Sequence, residues 1–350
     1  MKFGFYSPYL DTFGGGERYM LTLASHLSQN HLVDIFWDDP NIKAPLSRFL
    51  KIDLTKARFT KNIFRKKFFP KIFQSLGYNL IFVLSDGSVP FTLAARNILH
   101  FQVPFNFTKI NLKTKLKLKR YNWIVTNSQF TKSYIDKTFN VSSKVIYPPV
   151  DLKPTKPHAK EHLILSVGRF SPKQLHPKKQ EVLIEVFKEI YKKAPKWKLI
   201  LVGQARKEDY KYLRNLKKMA QGHAIQILDN LPIEKLEDLY SKSSIYWHAT
   251  GFGEDELKHP QKMEHFGIAT VEAQAAGAVP IVIDRGGQKE IVTDGKNGRL
   301  FSTKAQLYEI TLEIINDQLK RNKLSQGAVK NSRRFSKEVF IKAYEEIIFK

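Results

Sequence analysis

One pattern runs through this chain twice and restricts its possible folds more than any other feature. Short β-branched or aromatic runs alternate with amphipathic stretches, stop at Pro148-Pro149-Val150-Asp151, and then begin again. In the first half the alternation predicts strands at Lys2–Tyr6, Leu32–Trp37, Asn79–Leu84, Ile98–Phe101, Trp123–Thr126 and Lys144–Tyr147. Helices fit between them, notably Glu17–Leu27 and a stretch to Phe139 that Ser128 can cap by accepting from the first-turn amides. In the second half strands are predicted at Leu163–Val167, Lys198–Val202, Ile225–Leu228, Ile245–His248 and Val279–Ile283. Such alternation implies an α/β chain with parallel sheets covered on both faces. Two such domains in tandem are expected to face each other across a cleft at the carboxyl ends of their strands. The domains are placed at 1–150 and 151–335, joined through the polar, proline-bearing run Lys153–His162 with Pro154 and Pro157. The tail from Ser336 to Lys350 reads as an amphipathic helix with Val339, Phe340, Ala343, Tyr344, Ile347 and Ile348 on one face, packing back toward the N-terminal domain.

Composition removes several classes. With 42% hydrophobic and 26% charged residues the chain is neither disordered nor fibrous. The absence of cysteine excludes disulfide frameworks, thiolate metal sites and cysteine nucleophiles. Met1 leads directly into a strand-like run, without a charged-then-apolar leader, and no apolar stretch approaches the roughly 20 residues that span a bilayer. A cytoplasmic location is therefore expected.

The formal net charge of +25 points to an anionic partner. Residues 1–150 carry 22 basic and 8 acidic side chains, and two windows, 51–73 and 109–120, hold nearly all of that excess. The first interleaves its charges with Phe59, Phe64, Phe68, Phe69 and Phe73, the composition of an element that lies on anionic lipid or nucleic acid.

The stretch Glu264-His265-Phe266-Gly267-Ile268-Ala269-Thr270-Val271-Glu272 carries the most chemistry. Its two carboxylates lie eight positions apart, and a helix from Ile268 to Ala276 would stop at Gly277. Exposed amides at its first turn form an anion site. With one carboxylate before the turn and one inside the helix, the segment suits a nucleotide diphosphate and its sugars. On spacing alone it also reads as an ordinary buried helix with solvated glutamates.

This is where the chain resembles the family 4 retaining glycosyltransferases of GT-B fold, the glycosyl transferases group 1. The family's paired-glutamate motif matches Glu264 and Glu272. Gly14-Gly15-Gly16-Glu17-Arg18, Ser166-Val167-Gly168-Arg169-Phe170 and Gly286-Gly287 fall in the family's order, so the resemblance covers essentially the whole chain. It implies two Rossmann-like domains and a nucleotide-diphosphate sugar as donor substrate, without a separate cofactor. Transfer is then to a lipid-linked or glycan acceptor with retention by front-face substitution, the protein contributing charge and position. Glu-His-Phe-Gly-Ile leans the donor toward GDP-mannose, with UDP-sugars open.

The resemblance also distributes roles. Arg169 and Lys178 would hold the diphosphate, with Lys179 as the alternative lysine because the segment Phe170–Pro177 is long. Glu264 would meet the donor sugar, while Phe266, Gly267, Ile268, Ala269 and Glu272 would hold the nucleotide. Gly14, Gly15 and Gly16 would bring amides to the diphosphate or form a plain tight turn. His100 would touch the donor sugar or fill a structural place.

The chain departs from the family in an insertion, Gly251–Met263, whose Glu254, Asp255, Glu256 and His259 read as a solvated loop, and no metal is expected. Two rival readings remain at this stage. One is a nucleic-acid-binding protein, which explains the charge but not the second domain. The other is a nucleotide-sugar epimerase or dinucleotide oxidoreductase, against which stands the lack of a Gly-x-Gly-x-x-Gly after the first strand. The expected partners are donor, acceptor and an anionic membrane surface through residues 51–73 and 109–120 at the cytoplasmic face, and no nucleic acid.

Overall fold

The computed structural model of the chain describes residues 1–65, 73–106, 110–151 and 159–350. Lys66, Lys67, Phe68, Phe69, Lys71, Lys109, Pro154 and Pro157 of the sequence reading lie outside the described residues. The chain forms two compact units, Met1–Pro149 together with Lys337–Lys350, and Val150–Ser336.

The first unit is built on strands β1 (Lys2–Tyr6), β2 (Leu32–Phe36), β3 (Arg58–Thr60), β4 (Leu80–Ser85), β5 (Arg96–Phe101), β6 (Trp123–Thr126) and β7 (Lys144–Val145). They pair in parallel in the order β3-β2-β1-β4-β5-β6-β7. Helix α1 (Gly15–Leu27) follows β1, and α2 is Lys43–Leu50, α3 Leu112–Leu118 and α4 Gln129–Phe139. Ser128 caps α4 by accepting from the Thr131 amide at 3.0 Å. The strand interiors are apolar because both faces of the sheet are covered, as all six residues of β4 illustrate by being buried.

The second unit repeats the plan with β8 (Glu161–Val167), β9 (Lys198–Gly203), β10 (Ile225–Asp229), β11 (Ser243–His248), β12 (Val279–Ile283) and β13 (Arg299–Phe301) in the parallel order β10-β9-β8-β11-β12-β13. Its helices are α5 (Gln180–Lys193), α6 (Tyr210–Ala220), α7 (Ile233–Lys242), α8 (Ile268–Ala275), α9 (Gln288–Ile291), α10 (Lys304–Asn316) and α11 (Gln318–Ser332). Strand order reverses between β8 and β11, and the segments that leave these two strands carry Arg169 and Glu264. A reversal of this kind opens a crevice at the carboxyl ends of the strands, where ligands of open α/β sheets bind.

Three details differ from the sequence reading. Strands β3 and β13 were not predicted: each has three residues and lies at a sheet edge, too short for any period to register. Strand β8 begins at Glu161, inside the run read as linker. The final helix, α12 (Lys337–Ile348), packs within the first unit through Phe340, Ile341, Tyr344, Ile347 and Ile348, while Val339 is 49% exposed, so Ile341 takes the core place expected of Val339. The Tyr344 hydroxyl stands 2.8 Å from that of Tyr19, which in turn donates to the Ile146 carbonyl at 2.9 Å.

The basic windows are also partly consumed by the fold. Arg58 pairs with buried Asp34 at 2.7 Å and Arg65 with Asp38 at 3.2 Å. Phe64, expected on a surface element, is buried against Tyr6 and Phe36 with ring centroids at 4.5 and 5.7 Å, because its apolar area is better satisfied there than in water. Phe59 is half-buried, whereas Phe73 is 67% exposed.

Candidate functional site

The site of the second domain begins where β8 runs out. The Gly168 amide donates to the Val202 carbonyl at 2.8 Å, and the Gln180 side-chain amide, at the start of α5, donates to the carbonyls of Gly168 and Arg169 at 3.2 and 3.1 Å. This pins the backbone of Arg169 while its side chain stays exposed; among the described residues that guanidinium makes no hydrogen bond or ion pair. Gly168 is required by packing: a Cβ there would stand 2.7 Å from Lys178 Cγ, so the glycine leaves room for the lysine stem to cross it. Lys179 is the N-cap of α5 in the left-handed region at φ 54°, a conformation that costs a non-glycine residue about 1–2 kcal/mol.

Lys178 leads to Glu264, with Nζ 2.5 Å from Oε2. His248, the last residue of β11, brings Nε2 to 2.9 Å from the same oxygen. Burial by itself would raise the Glu264 carboxyl, but Lys178 and then His248 overcome it and hold that carboxyl well below the usual range. His248 is pushed below its ordinary value by burial, which outweighs the attraction of Glu264. His176, two residues before Lys178, is held well below its ordinary value by burial, with Lys178, His265 and Arg169 acting in the same direction. The His176 and His265 rings are 4.8 Å apart. The result is a carboxylate fixed against the Lys178 side chain, with the His176 and His248 imidazoles held below their ordinary values beside it.

The backbone that carries Glu264 is equally constrained. A Cβ on Gly286 or Gly287 would lie 2.5 Å from the carbonyl oxygens of Glu264 and His265 respectively, and the Gly287 amide donates to the Glu264 carbonyl at 2.8 Å. Gly267 is the N-cap of α8 at φ 117°, backed by the Gln288 amide nitrogen 2.4 Å from where its Cβ would be. Helix α8 has no acidic residue in its first turn, and among the described residues the Ile268 and Ala269 amides have no acceptor. Phe266 is buried against Phe335, whereas Glu272, farther along α8, accepts from the Tyr240 hydroxyl at 3.0 Å. Gly277 ends the helix at φ 81°. The segment thus joins a carboxylate, a lysinium and an amide-lined helix start, next to a free guanidinium: an arrangement that binds an anion beside a hydroxyl-bearing group.

The first domain holds the remaining candidates. The Gly14 amide donates to Glu17 Oε2 at 2.9 Å, and Thr12 donates to the same oxygen at 2.8 Å. Glu17 is 4% exposed, so one amide of this loop is already engaged by the chain's own carboxylate. None of Gly14, Gly15 and Gly16 has positive φ, and a Cβ on Gly16 would displace only the end of the Gln102 side chain, whose Oε1 lies 2.6 Å from that position. His100 is fully buried, stacked on Tyr19 at 4.0 Å, with Nε2 3.2 Å from the Gln102 amide nitrogen. Burial lowers its pKa to about 3, so the ring is a neutral part of the core.

Lys179 turns away from Glu264 and pairs with Glu254 at 2.9 Å. The insertion read as a solvated loop is therefore anchored: Glu254 also meets Lys262 at 2.9 Å, and Glu256 accepts from the Gly286 amide at 2.8 Å. Among the described residues no group of three or more His, Cys, Asp and Glu side chains is placed to hold a metal ion. Sequence reasoning missed His248, His176, Gln180 and Gln288. His248 had a usable signal, the carboxyl end of a parallel strand at the reversal point; the others had none.

Residues 151–331 match the family described as glycosyl transferases group 1. The chain belongs to that family. Its fold matches the crystal structure of Anabaena Alr3699/HepE in complex with UDP and glucose, with a TM-score of 0.71 at 18% identity over 99% of both chains. It also matches a glycosyltransferase from Rickettsia africae, with a TM-score of 0.74 at 16% identity over 99% of this chain and 97% of the other. The two domains are those of the GT-B fold. Among curated proteins the chain is 26% identical over 237 residues, 62% of its own length and 46% of the relative's, to the human GDP-Man:Man(3)GlcNAc(2)-PP-Dol alpha-1,2-mannosyltransferase. It is 28% identical over 238 residues, 62% of this chain and 45% of the other, to the Dictyostelium discoideum protein of that name. The chain thus spans less than half the length of these relatives.

Proposed function

We propose that this chain is a retaining hexosyltransferase that moves mannose from GDP-mannose to a lipid-linked or glycan acceptor. The observation that carries the reading is the Lys178–Glu264 pair, together with the unpaired Arg169 guanidinium and the open first-turn amides of α8. Arg169, Lys178 and those amides at Ile268 and Ala269 hold the donor diphosphate and stabilise its charge as it leaves. Glu264 keeps its second oxygen for a sugar hydroxyl, and Glu272 sits one turn in for the ribose. The matched relatives, named for GDP-mannose and a dolichol-linked acceptor, support this donor and acceptor class.

We infer that the enzyme works peripherally at the cytoplasmic face of an anionic membrane, through residues 51–73 and 109–120. In the described part of the second window, α3 exposes Leu112 at 74% and Leu116 at 56% among Lys113, Lys115 and Lys117, apolar anchors set in positive charge. Among the described residues no helix is long and apolar enough to cross a membrane.

The test is incubation of the full chain with GDP-mannose or UDP-glucose and a diphosphate-linked oligosaccharide lipid in anionic vesicles. The expected result is GDP release, an added hexose of retained anomeric configuration, and pelleting with the vesicles that high salt weakens. Turnover of UDP-glucose alone would replace the donor. If neither donor turned over and neither GDP nor UDP raised the melting temperature, the donor site would be misassigned.

A further inference from the structure

The insertion 251–263 is the part of the second domain that the proposed reaction leaves without a task, and its contacts are concentrated on the two segments that frame Glu264. On one side Glu254 Oε1 meets Lys179 Nζ at 2.9 Å. On the other, the Glu254 carbonyl accepts from Arg285 Nη1 at 2.9 Å, and Glu256 accepts from the Gly286 amide at 2.8 Å, next to the Gly287 amide that holds the Glu264 carbonyl. Lys262 brings a second cation to Glu254 Oε2 at 2.9 Å, and Lys262 with Lys179 keeps that carboxyl below its ordinary value.

The geometry at Lys179 is the informative part. Its backbone is left-handed at φ 54°, a state that side-chain-bearing residues leave unless something holds them. The side chain just before that turn, Lys178, crosses Gly168 and reaches Glu264. We propose that Glu254 is a positioning residue: by tethering Lys179 it holds the left-handed turn that aims Lys178 at Glu264, while Glu254 and Glu256 together brace the Arg285–Gly287 turn behind Glu264. The site thereby separates two adjacent lysines, one for the donor and one for the tether. The inference rests on the reading in which Lys178 and Glu264 serve the donor, but its geometry can be tested without donor.

The experiment is acylation footprinting of lysines in the full chain, read by mass spectrometry, with GDP and UDP binding measured in parallel. In the wild type the Lys178 side chain, 14% exposed, reacts many times more slowly than Lys258, 78% exposed. Glu254→Gln is expected to raise the Lys178 rate at least about fivefold and weaken nucleotide binding about tenfold. Adding Lys179→Gly, which takes the left-handed turn without strain, restores protection and binding to within about twofold of wild type; adding Lys179→Ala does not. If Glu254→Gln fails to fold, Lys179→Gly and Lys179→Ala with Glu254 intact give the same contrast. Unchanged Lys178 reactivity in Glu254→Gln, or equal behaviour of the glycine and alanine variants, overturns the proposal. The expected footprint without GDP or UDP binding by wild type upholds the tether and removes the donor reading instead.

Discussion

Two helix starts in this molecule follow a strand and a glycine, and both are expected from sequence to receive phosphate. At α1 the chain supplies its own anion: Glu17 folds back onto the Gly14 amide and is buried there. At α8 the first turn contains no acidic residue, and Glu264, three residues before the Gly267 N-cap, is turned toward Lys178 and His248. A carboxylate on a helix N-terminus satisfies the partial positive charge that would otherwise attract a ligand. The same contrast extends to the titratable residues. His100 lies neutral in the first core, whereas Arg169 stands exposed and unpaired among the described residues of the second. A glycine-led helix start is therefore an anion site only where the chain has left it open.

The largest effect should come from the open end. Arg169→Ala and Lys178→Ala are each expected to lower transfer about a hundredfold, the loss seen when one preorganised charge is removed from a developing anion. Steady-state rates with saturating acceptor measure this. Wild-type rates in both variants would put the donor's charge partner elsewhere and dissolve the contrast.

The next effect separates stability from chemistry. His100 has a folded pKa of about 3 against an ordinary 6.5, so the unfolded chain takes the proton first. Its burial costs nothing above about pH 6.5 and weakens the fold progressively as pH falls toward 3, by about 2 kcal/mol at pH 5. His100→Phe, which keeps a ring against Tyr19, is expected to flatten the fall in melting temperature between pH 7 and 5 by several degrees. An unaltered pH dependence in thermal unfolding would mean that the ring is not held neutral.

The smallest effect tests the occupied helix end. Glu17→Gln should cost about 1 kcal/mol of stability, the scale of a lost helix cap, and leave GDP affinity within about twofold. A larger change in nucleotide binding than in melting temperature would show that the first domain's glycine loop also serves the donor.

Much of this architecture was legible in residue order because it depends on local repetition. Short continuous β-branched or aromatic runs alternating with helical ones specify parallel sheets covered on both faces, whichever neighbours they later find, and Gly267 and Gly277 mark the ends of α8 by backbone conformation alone. Strands β3 and β13 were not legible, since three residues at an edge are held mainly by the strand beside them. Sequence favoured Lys178 over its chemically identical neighbour only by resemblance; in the structure Lys178 reaches Glu264, while Lys179, at the left-handed turn, meets Glu254 75 positions away. The same holds for Glu254 and Glu256, which read as solvated until folding brings cations and an amide to them. The sequence determined which groups exist and which backbone elements carry them. The tertiary structure alone decided which charges neutralise one another and which stay free, because ion pairing depends on distances between segments that the sequence keeps far apart.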